Sequence, residues 1–118
     1  MPTARSETYG ELTRREREKK DYGLRQFAKL IGVSATYLSQ IERDELPPPA
    51  EERVLKTAEL LGLDKDELLA RAGRVASELE EIIREKPKAT ADLLRRIKKL
   101  SVGELDRLNR TLGKEKKK

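Results

Sequence analysis

The chain has 118 residues, of which 42% are charged, and it contains neither cysteine nor histidine. This composition excludes disulfides, thiol or Ser-His nucleophiles and the usual zinc ligand sets, so an enzyme would have to work with carboxylates, lysines or hydroxyls alone. We expect no metal, no cofactor and no enzyme. The net charge is +5, but residues 1–73 carry 13 Lys/Arg against 14 Asp/Glu and residues 74–118 carry 14 against 8, so basicity alone does not indicate nucleic-acid binding.

Every periodic segment is helical, and no alternation of β-branched or aromatic residues is long enough for a strand, which predicts an all-α fold. The first helix is expected at about 8–20. The second, at about 24–31, has an apolar stripe of Leu24, Phe27, Ala28 and Ile31. Gly32 then provides a turn, and Ser34 caps a third helix that ends near Arg43.

A proline run, Pro47 to Pro49, imposes an extended connection before a fourth helix at about 50–61. A fifth helix is expected to start at Asp64. Asp64 and Glu67 have the spacing of a helix cap, and the DKDE run lacks the glycine of a calcium loop, so we favour capping over a metal site. Gly73 closes this five-helix unit as a C-cap glycine.

A C-terminal extension of about three short helices follows, the last of them opened by a capping box from Ser101 to Glu104. The predicted domains are 1–73 for the five-helix unit, 74–112 for the helical extension and 113–118 for a disordered basic tail. About 40 residues seldom build a core alone, so we expect a second chain to cover the apolar stripes of the extension. The predicted dimerisation residues are Leu79, Ile83, Leu94 and Leu105.

The stretch AKLIGVSATYLSQIE carries the spacing of a helix-turn-helix. Ala28 is small where the second helix of the motif crosses it, and Gly32 permits a turn of three to four residues. Leu38 belongs to the apolar set that joins the two helices. The motif predicts binding to double-stranded DNA.

The third helix separates into two faces when each residue advances by about 100°. Its inward residues are Leu38, Ile41 and Glu42. The Gln40 amide matches an adenine edge, the Arg43 guanidinium matches a guanine or a phosphate, and the Ala35 and Thr36 methyls match thymine methyls. The outward face therefore predicts base contacts for Ala35, Thr36, Ser39, Gln40 and Arg43. The alternative is that this face is simply solvated.

The segment YGELTRRERE…FAKLIGVSATYLSQIERDELPPPAEE…AELLGLDKDELL, about Tyr9 to Ala72, resembles the XRE or Cro/phage-repressor family of transcription regulators. The resemblance implies a lambda-repressor-like domain that acts as a dimer on a palindromic operator, with its third helix in the major groove. It also implies a structural ion pair between Arg17 and Glu42. Base contacts would fall on Ala35, Thr36 and Gln40, and phosphate contacts on Arg25, Gln26, Tyr37 and Arg43.

Two residues depart from the family pattern. Gly23 stands where a Ser or Thr usually caps the second helix, and Asp44 stands where a glycine usually ends the third. Glycine is an acceptable N-cap and aspartate tolerates the left-handed conformation, so the fold is expected to persist. The phosphate contacts at these two places are the part that the departures put in doubt.

The residues after Gly73 resemble the C-terminal extensions of XRE regulators associated with ImmA/IrrE-type metallopeptidases, which would make such a peptidase a regulatory partner. No apolar run approaches the roughly 20 residues of a membrane span, so we expect a cytoplasmic protein. The predicted function is a dimeric repressor that places helix 35–43 in the major groove. Two alternatives remain open, namely the antitoxin of a toxin-antitoxin pair and a helical protein-interaction module.

Overall fold

The computed structural model describes residues 7–116, and every regular element among them is a helix, which confirms the predicted all-α fold. None of these helices is long and apolar enough to cross a membrane. The chain divides into two compact units with a boundary between Ala76 and Ser77. The helices are α1 (Tyr9–Lys19), α2 (Leu24–Ile31), α3 (Ala35–Glu42), α4 (Glu51–Leu61), α5 (Lys65–Arg71), α6 (Ser77–Glu85), α7 (Pro87–Ile97) and α8 (Val102–Lys116).

Side-chain caps start three helices of the first unit close to the predicted positions. The Thr8 hydroxyl accepts from the Glu11 amide at 3.0 Å, and the Glu11 carboxylate accepts from the Thr8 amide at 3.1 Å, which is a capping box. Ser34 accepts from the amide three residues on at 3.0 Å, and Asp64 accepts from the Glu67 amide at 2.9 Å. Asp64 therefore caps α5, and the described residues contain no group of His, Cys, Asp or Glu placed to hold a metal ion.

The buried apolar residues of the first unit form two clusters, and α3 contributes to both. One cluster joins α1, α3, α4 and α5 through Tyr9, Ile41, Val54, Ala58, Leu68, Leu69 and Ala76. The other joins α2, α3 and the end of α4 through Phe27, Ala28, Ile31, Leu38 and Leu61. Full burial of one such side chain contributes about 1.5 to 3 kcal/mol. Because both clusters hold α3, its orientation in the first unit is tightly determined.

The turn between α2 and α3 is held by a side chain from α4. Gly32 has φ 81°, a left-handed conformation, and a Cβ added there would lie 2.8 Å from the Arg53 Nη1 atom. The same Nη1 atom donates to the Ile31 carbonyl at 3.0 Å. The Val33 amide donates to the Ala28 carbonyl at 2.9 Å. Arg53 thus satisfies a carbonyl that the end of α2 leaves without an intrahelical partner.

The first unit extends three residues past the glycine that was predicted to close it. Gly73 has the expected left-handed conformation, with φ 78°. The Arg74 guanidinium then donates to the Pro48 carbonyl at 3.1 Å and to the Pro49 carbonyl. Ala76 is only 8% exposed. Arg74 thus binds the proline-rich connection before α4 and Ala76 joins the core cluster that contains Val54, so both residues belong to the first unit.

The second unit consists of α6, α7 and α8. The predicted capping box opens α8, since the Ser101 amide donates to the Glu104 carboxylate at 2.8 Å and the Glu104 amide donates to the Ser101 hydroxyl at 3.1 Å. The helix continues through Lys116, although a disordered tail was predicted for 113–118. Lys and Glu have high helix propensity, so α8 persists beyond its last apolar residue. Residues 117–118 of the predicted tail lie outside the described part.

Candidate DNA-binding site

One face of α3 is buried and the other is polar and accessible. The buried residues have exposed fractions of 4, 2 and 6% for Leu38, Ile41 and Glu42. The opposite face is fully or partly exposed and carries Thr36, Ser39, Gln40 and Arg43. The division follows the one that helical geometry predicts, including the inward placement of the acidic Glu42.

Two further predicted contact residues lie at the start of α3 and are partly buried. Ala35 packs against the cluster that contains Phe27. Tyr37 packs against the cluster that contains Ile41. Part of each side chain is therefore buried against the core, and only the remaining part is available to an external partner.

The Gln40 side chain is one of the unbonded polar groups on the outer face. Its backbone is fixed, because the Gln40 carbonyl accepts from the Glu45 amide at 2.8 Å and from the Leu46 amide at 3.3 Å. Among the described residues, none hydrogen-bonds to the Gln40 side-chain amide. That amide therefore keeps an acceptor and two donors for a partner outside the chain.

Arg43 follows α3 and is already engaged within the protein. Its Nε donates to the Ser39 carbonyl at 3.3 Å and to the Ser39 hydroxyl at 3.2 Å. Its Nη1 pairs with the Glu45 carboxylate at 2.7 Å, and both side chains are about half exposed. For its Nη1 to contact DNA, Arg43 has to exchange Glu45 for a base or a phosphate. An exposed pair of this kind is worth only about 0 to 1 kcal/mol, so the exchange is energetically accessible.

The start of α2 places two of the predicted phosphate contacts on the surface. Arg25 and Gln26 are both exposed. The Gly23 amide donates to the Gln26 Oε1 atom at 3.2 Å, and Gly23 itself supplies no side-chain cap. Gln26 therefore supplies one half of a capping box, whereas the bond that a Ser or Thr side chain at position 23 would accept from the Gln26 amide is missing. The predicted phosphate contact of Gln26 does not include this capping role.

Arg17 and Glu42, predicted as an ion pair, form a bidentate contact inside the first unit. Arg17 Nε lies 2.7 Å from Glu42 Oε2, and Arg17 Nη2 lies 2.9 Å from Glu42 Oε1. Their side chains are 8% and 4% exposed. Arg17 Nη1 also donates to the Tyr22 carbonyl at 2.7 Å. Hydrogen bonding to Glu42 raises the pKa of Arg17, so the guanidinium stays charged. The contacts of Arg17 tie α1, the segment before α2 and the last turn of α3 together.

Asp44 also connects the end of α3 with the start of α1. It adopts φ 62°, so it occupies the left-handed position that the family usually gives to glycine. The Thr8 hydroxyl donates to the Asp44 carboxylate at 3.0 Å. Gly10 is required nearby, because a Cβ there would overlap the Ile41 carbonyl and lie 2.8 Å from the Asp44 carboxylate. The departure at Asp44 therefore adds a contact between the two helices.

The residues predicted for dimerisation lie in the second unit and retain much of their surface. Leu79, Ile83 and Leu94 have exposed fractions of 39, 38 and 50%, and Leu105 is partly buried. The exposed apolar set in the same unit also includes Ile82, Leu93 and Leu112. The described chain therefore leaves apolar stripes on α6, α7 and α8 only partly covered.

Comparisons with known proteins concern mainly the first unit. A family profile described as a helix-turn-helix domain matches residues 8–72. The solution structure of the DNA-binding domain of the P22 c2 repressor is similar at 32% identity and a TM-score of 0.50, over 56% of this chain and 86% of that domain. No curated protein sequence matches the chain significantly.

Two crystal structures determined with DNA are also similar. One is the P22 c2 repressor with a synthetic operator, at 32% identity and a TM-score of 0.48, over 53% of this chain and 94% of that chain. The other is SinR, a master regulator for biofilm formation, at 31% identity and a TM-score of 0.48, over 52% of this chain and 98% of that chain. With the matched profile covering residues 8–72, the chain belongs to the helix-turn-helix domain family and has the lambda-repressor-like fold of the XRE type.

Proposed function

We propose that the protein is a sequence-specific DNA-binding regulator of transcription that places α3 in the major groove, and that it acts in the cytoplasm. The observation that carries this proposal is the outer face of α3, which is polar and accessible while both core clusters fix the helix. The buried pair of Arg17 with Glu42 holds the last turn of the same helix. A rigid helix with a compact polar face is what direct readout of base edges requires.

Within this proposal the outer residues have different tasks. Gln40 reads an adenine edge through its uncommitted amide, and Thr36 and Ala35 contact thymine methyl groups. Arg43 exchanges Glu45 for a guanine or a phosphate, and Ser39 lies beside it. The exposed guanidinium of Arg25 contacts a phosphate. Gln26 and Tyr37, with shared roles in capping and packing, serve as secondary backbone contacts.

Substitution of Gln40 by alanine tests the base contact. We expect Gln40→Ala to cost about 1 to 3 kcal/mol on the preferred sequence and to relax the choice at one base pair in each half-site. The cause is the loss of a bidentate amide without a change in core packing. The measurement is fluorescence anisotropy on the preferred duplex and on every single-base variant of it.

The control is Arg25→Ala, which removes an exposed charge at the start of α2. A phosphate contact carries no sequence information, so this variant should weaken all duplexes alike and reduce the salt slope by about 1. Equal losses for Gln40→Ala on preferred and random DNA would refute its role in readout.

The second unit supports a dimer as the DNA-binding form. Its partly exposed stripes on α6, α7 and α8 match what a two-fold partner covers in a self-complementary interface. A dimer presents two recognition helices about 34 Å apart, which is the spacing of a palindromic operator. We assign the protein the role of a repressor that occupies such a site. The same stripes would suit a toxin, and the oligomeric state of the isolated protein separates the two assignments.

A further inference from the structure

The net positive charge of the chain comes from its second unit. Residues 1–76 carry 14 Lys/Arg and 14 Asp/Glu, whereas residues 77–118 carry 13 and 8. The segregation continues within the second unit, since α6 has one basic residue against four acidic ones. Residues 86–99 then have six basic residues against one acidic one. The helix-turn-helix unit therefore has no net charge to attract DNA, and the excess is concentrated around α7.

The basic residues of α7 and its C-terminal turn lie on one face. With about 100° per residue, Lys88, Arg95 and Lys99 fall within an arc of about 40°, and Arg96 lies about 60° beyond its edge. Lys98, on the other side of the arc, still has helical dihedral angles, φ −55° and ψ −31°. We call Lys88, Arg95, Arg96, Lys98 and Lys99 the basic face of α7. These residues are all exposed.

The apolar residues of α7 occupy the opposite side. Leu93, Leu94 and Ile97 are centred about 180° from the basic face. Leu93 and Leu94 are half exposed. A partner subunit that covers this apolar side leaves the basic face open. Dimerisation and binding of an anion can therefore use the same helix at the same time.

We propose that the basic face of α7 is a second DNA-binding surface, which contacts backbone phosphates of the duplex without reading its sequence. This rests on the proposed function, because it takes the DNA that α3 recognises as the polyanion at hand. Lysine and arginine neutralise phosphates and release counterions, and this supplies most sequence-independent affinity. Asp92 pairs with Arg95 at 3.1 Å, but both side chains are mostly exposed, so the pair is easily exchanged for phosphate.

An anionic membrane is the rival ligand for a basic amphipathic helix. A membrane-surface helix inserts its apolar side into the lipid while its basic side meets the headgroups. In α7 the apolar side is assigned to the partner subunit. DNA phosphates need only the basic side, so they fit the arrangement better.

The test compares two double variants of the full-length chain with equal net charge. Arg96→Gln/Lys99→Gln removes two charges from the basic face, and Lys56→Gln/Lys65→Gln removes two exposed charges from α4 and α5 as the matched control. Anisotropy is measured on the preferred duplex and on a random duplex between about 50 and 200 mM salt. Sedimentation checks that both variants remain dimers.

The first variant should flatten the plot of log affinity against log salt by about 0.9 for each lost phosphate contact, equally on both duplexes. The control should keep the wild-type slope. An unchanged slope for Arg96→Gln/Lys99→Gln overturns the proposal. The same proteins are also titrated with anionic phosphatidylserine vesicles, and a loss of binding confined to these vesicles overturns the proposal as well, because it assigns the face to lipid. The wild-type protein could bind all sequences equally well while Arg96→Gln/Lys99→Gln still flattens its salt dependence. In that case the proposed sequence-specific function fails, but the basic face of α7 remains a DNA-binding surface.

Discussion

Glu42→Ala is expected to lower the free energy of unfolding by about 3 to 5 kcal/mol, because it strands the Arg17 charge in a buried site. The two side chains are 8% and 4% exposed and share two hydrogen bonds, so water cannot easily replace the missing carboxylate. Domains of this size have a total stability of only about 5 to 15 kcal/mol. Urea denaturation of the variant and the wild type measures the difference.

Glu18→Ala is the matched control for this variant. Glu18 also approaches Arg17, at 3.9 Å, but its side chain is 55% exposed, so its loss should cost less than about 1 kcal/mol. Arg17→Met/Glu42→Leu removes both charges. It should cost less than the sum of the losses for Arg17→Met and Glu42→Leu measured singly, because neither partner is left charged alone. Additive losses would mean that the pair contributes no coupling and does not hold α3.

Ile83→Asp/Leu94→Asp is expected to convert a dimer into a folded monomer and to weaken operator binding by roughly 10² to 10⁴-fold. Both side chains are substantially exposed within one chain, so the charges should disturb the interface rather than the fold. The loss of affinity arises because one recognition helix no longer raises the local concentration of the second. Analytical ultracentrifugation and operator titration measure the two effects.

Leu30→Asp provides the comparison in the first unit, where Leu30 is 43% exposed on α2. This variant should sediment as the wild type does. If the wild type is a monomer, the stripes belong to another partner, which would favour a toxin or a peptidase over self-association. If Ile83→Asp/Leu94→Asp remains a dimer with unchanged operator affinity, the apolar stripes do not form the interface.

Helical periodicity predicted much of the first unit because its information is local. The ends of α1, α2, α3 and α4 lie within one residue of the predicted bounds. The caps Ser34 and Asp64 were visible because each bonds to an amide only three residues away. Glu42 was assigned inward from its angular position on the helix before any partner was considered.

The contacts that sequence reasoning missed join residues far apart in the chain. Arg53 reaches the Ile31 carbonyl across 22 residues, and Arg74 reaches the Pro48 carbonyl across 26. An arginine on a helix surface has no periodic signature that indicates which distant carbonyl it meets. Arg43 was expected to be available for DNA, whereas the nearby Glu45 already pairs with it. The sequence alone shows that the excess positive charge lies in the C-terminal half. Assigning the basic face of α7 also required the bounds of that helix, because they determine which residues share a side of it.

The most direct measurement of sequence-specific recognition is in-vitro selection of bound DNA by the full-length protein, run in parallel with Gln40→Ala. The wild type should enrich a palindrome with half-sites about 10 base pairs apart, centre to centre. Gln40→Ala should enrich the same palindrome with one position in each half-site relaxed. Failure of the wild type to enrich any sequence, or an identical motif from both proteins, would contradict readout by α3.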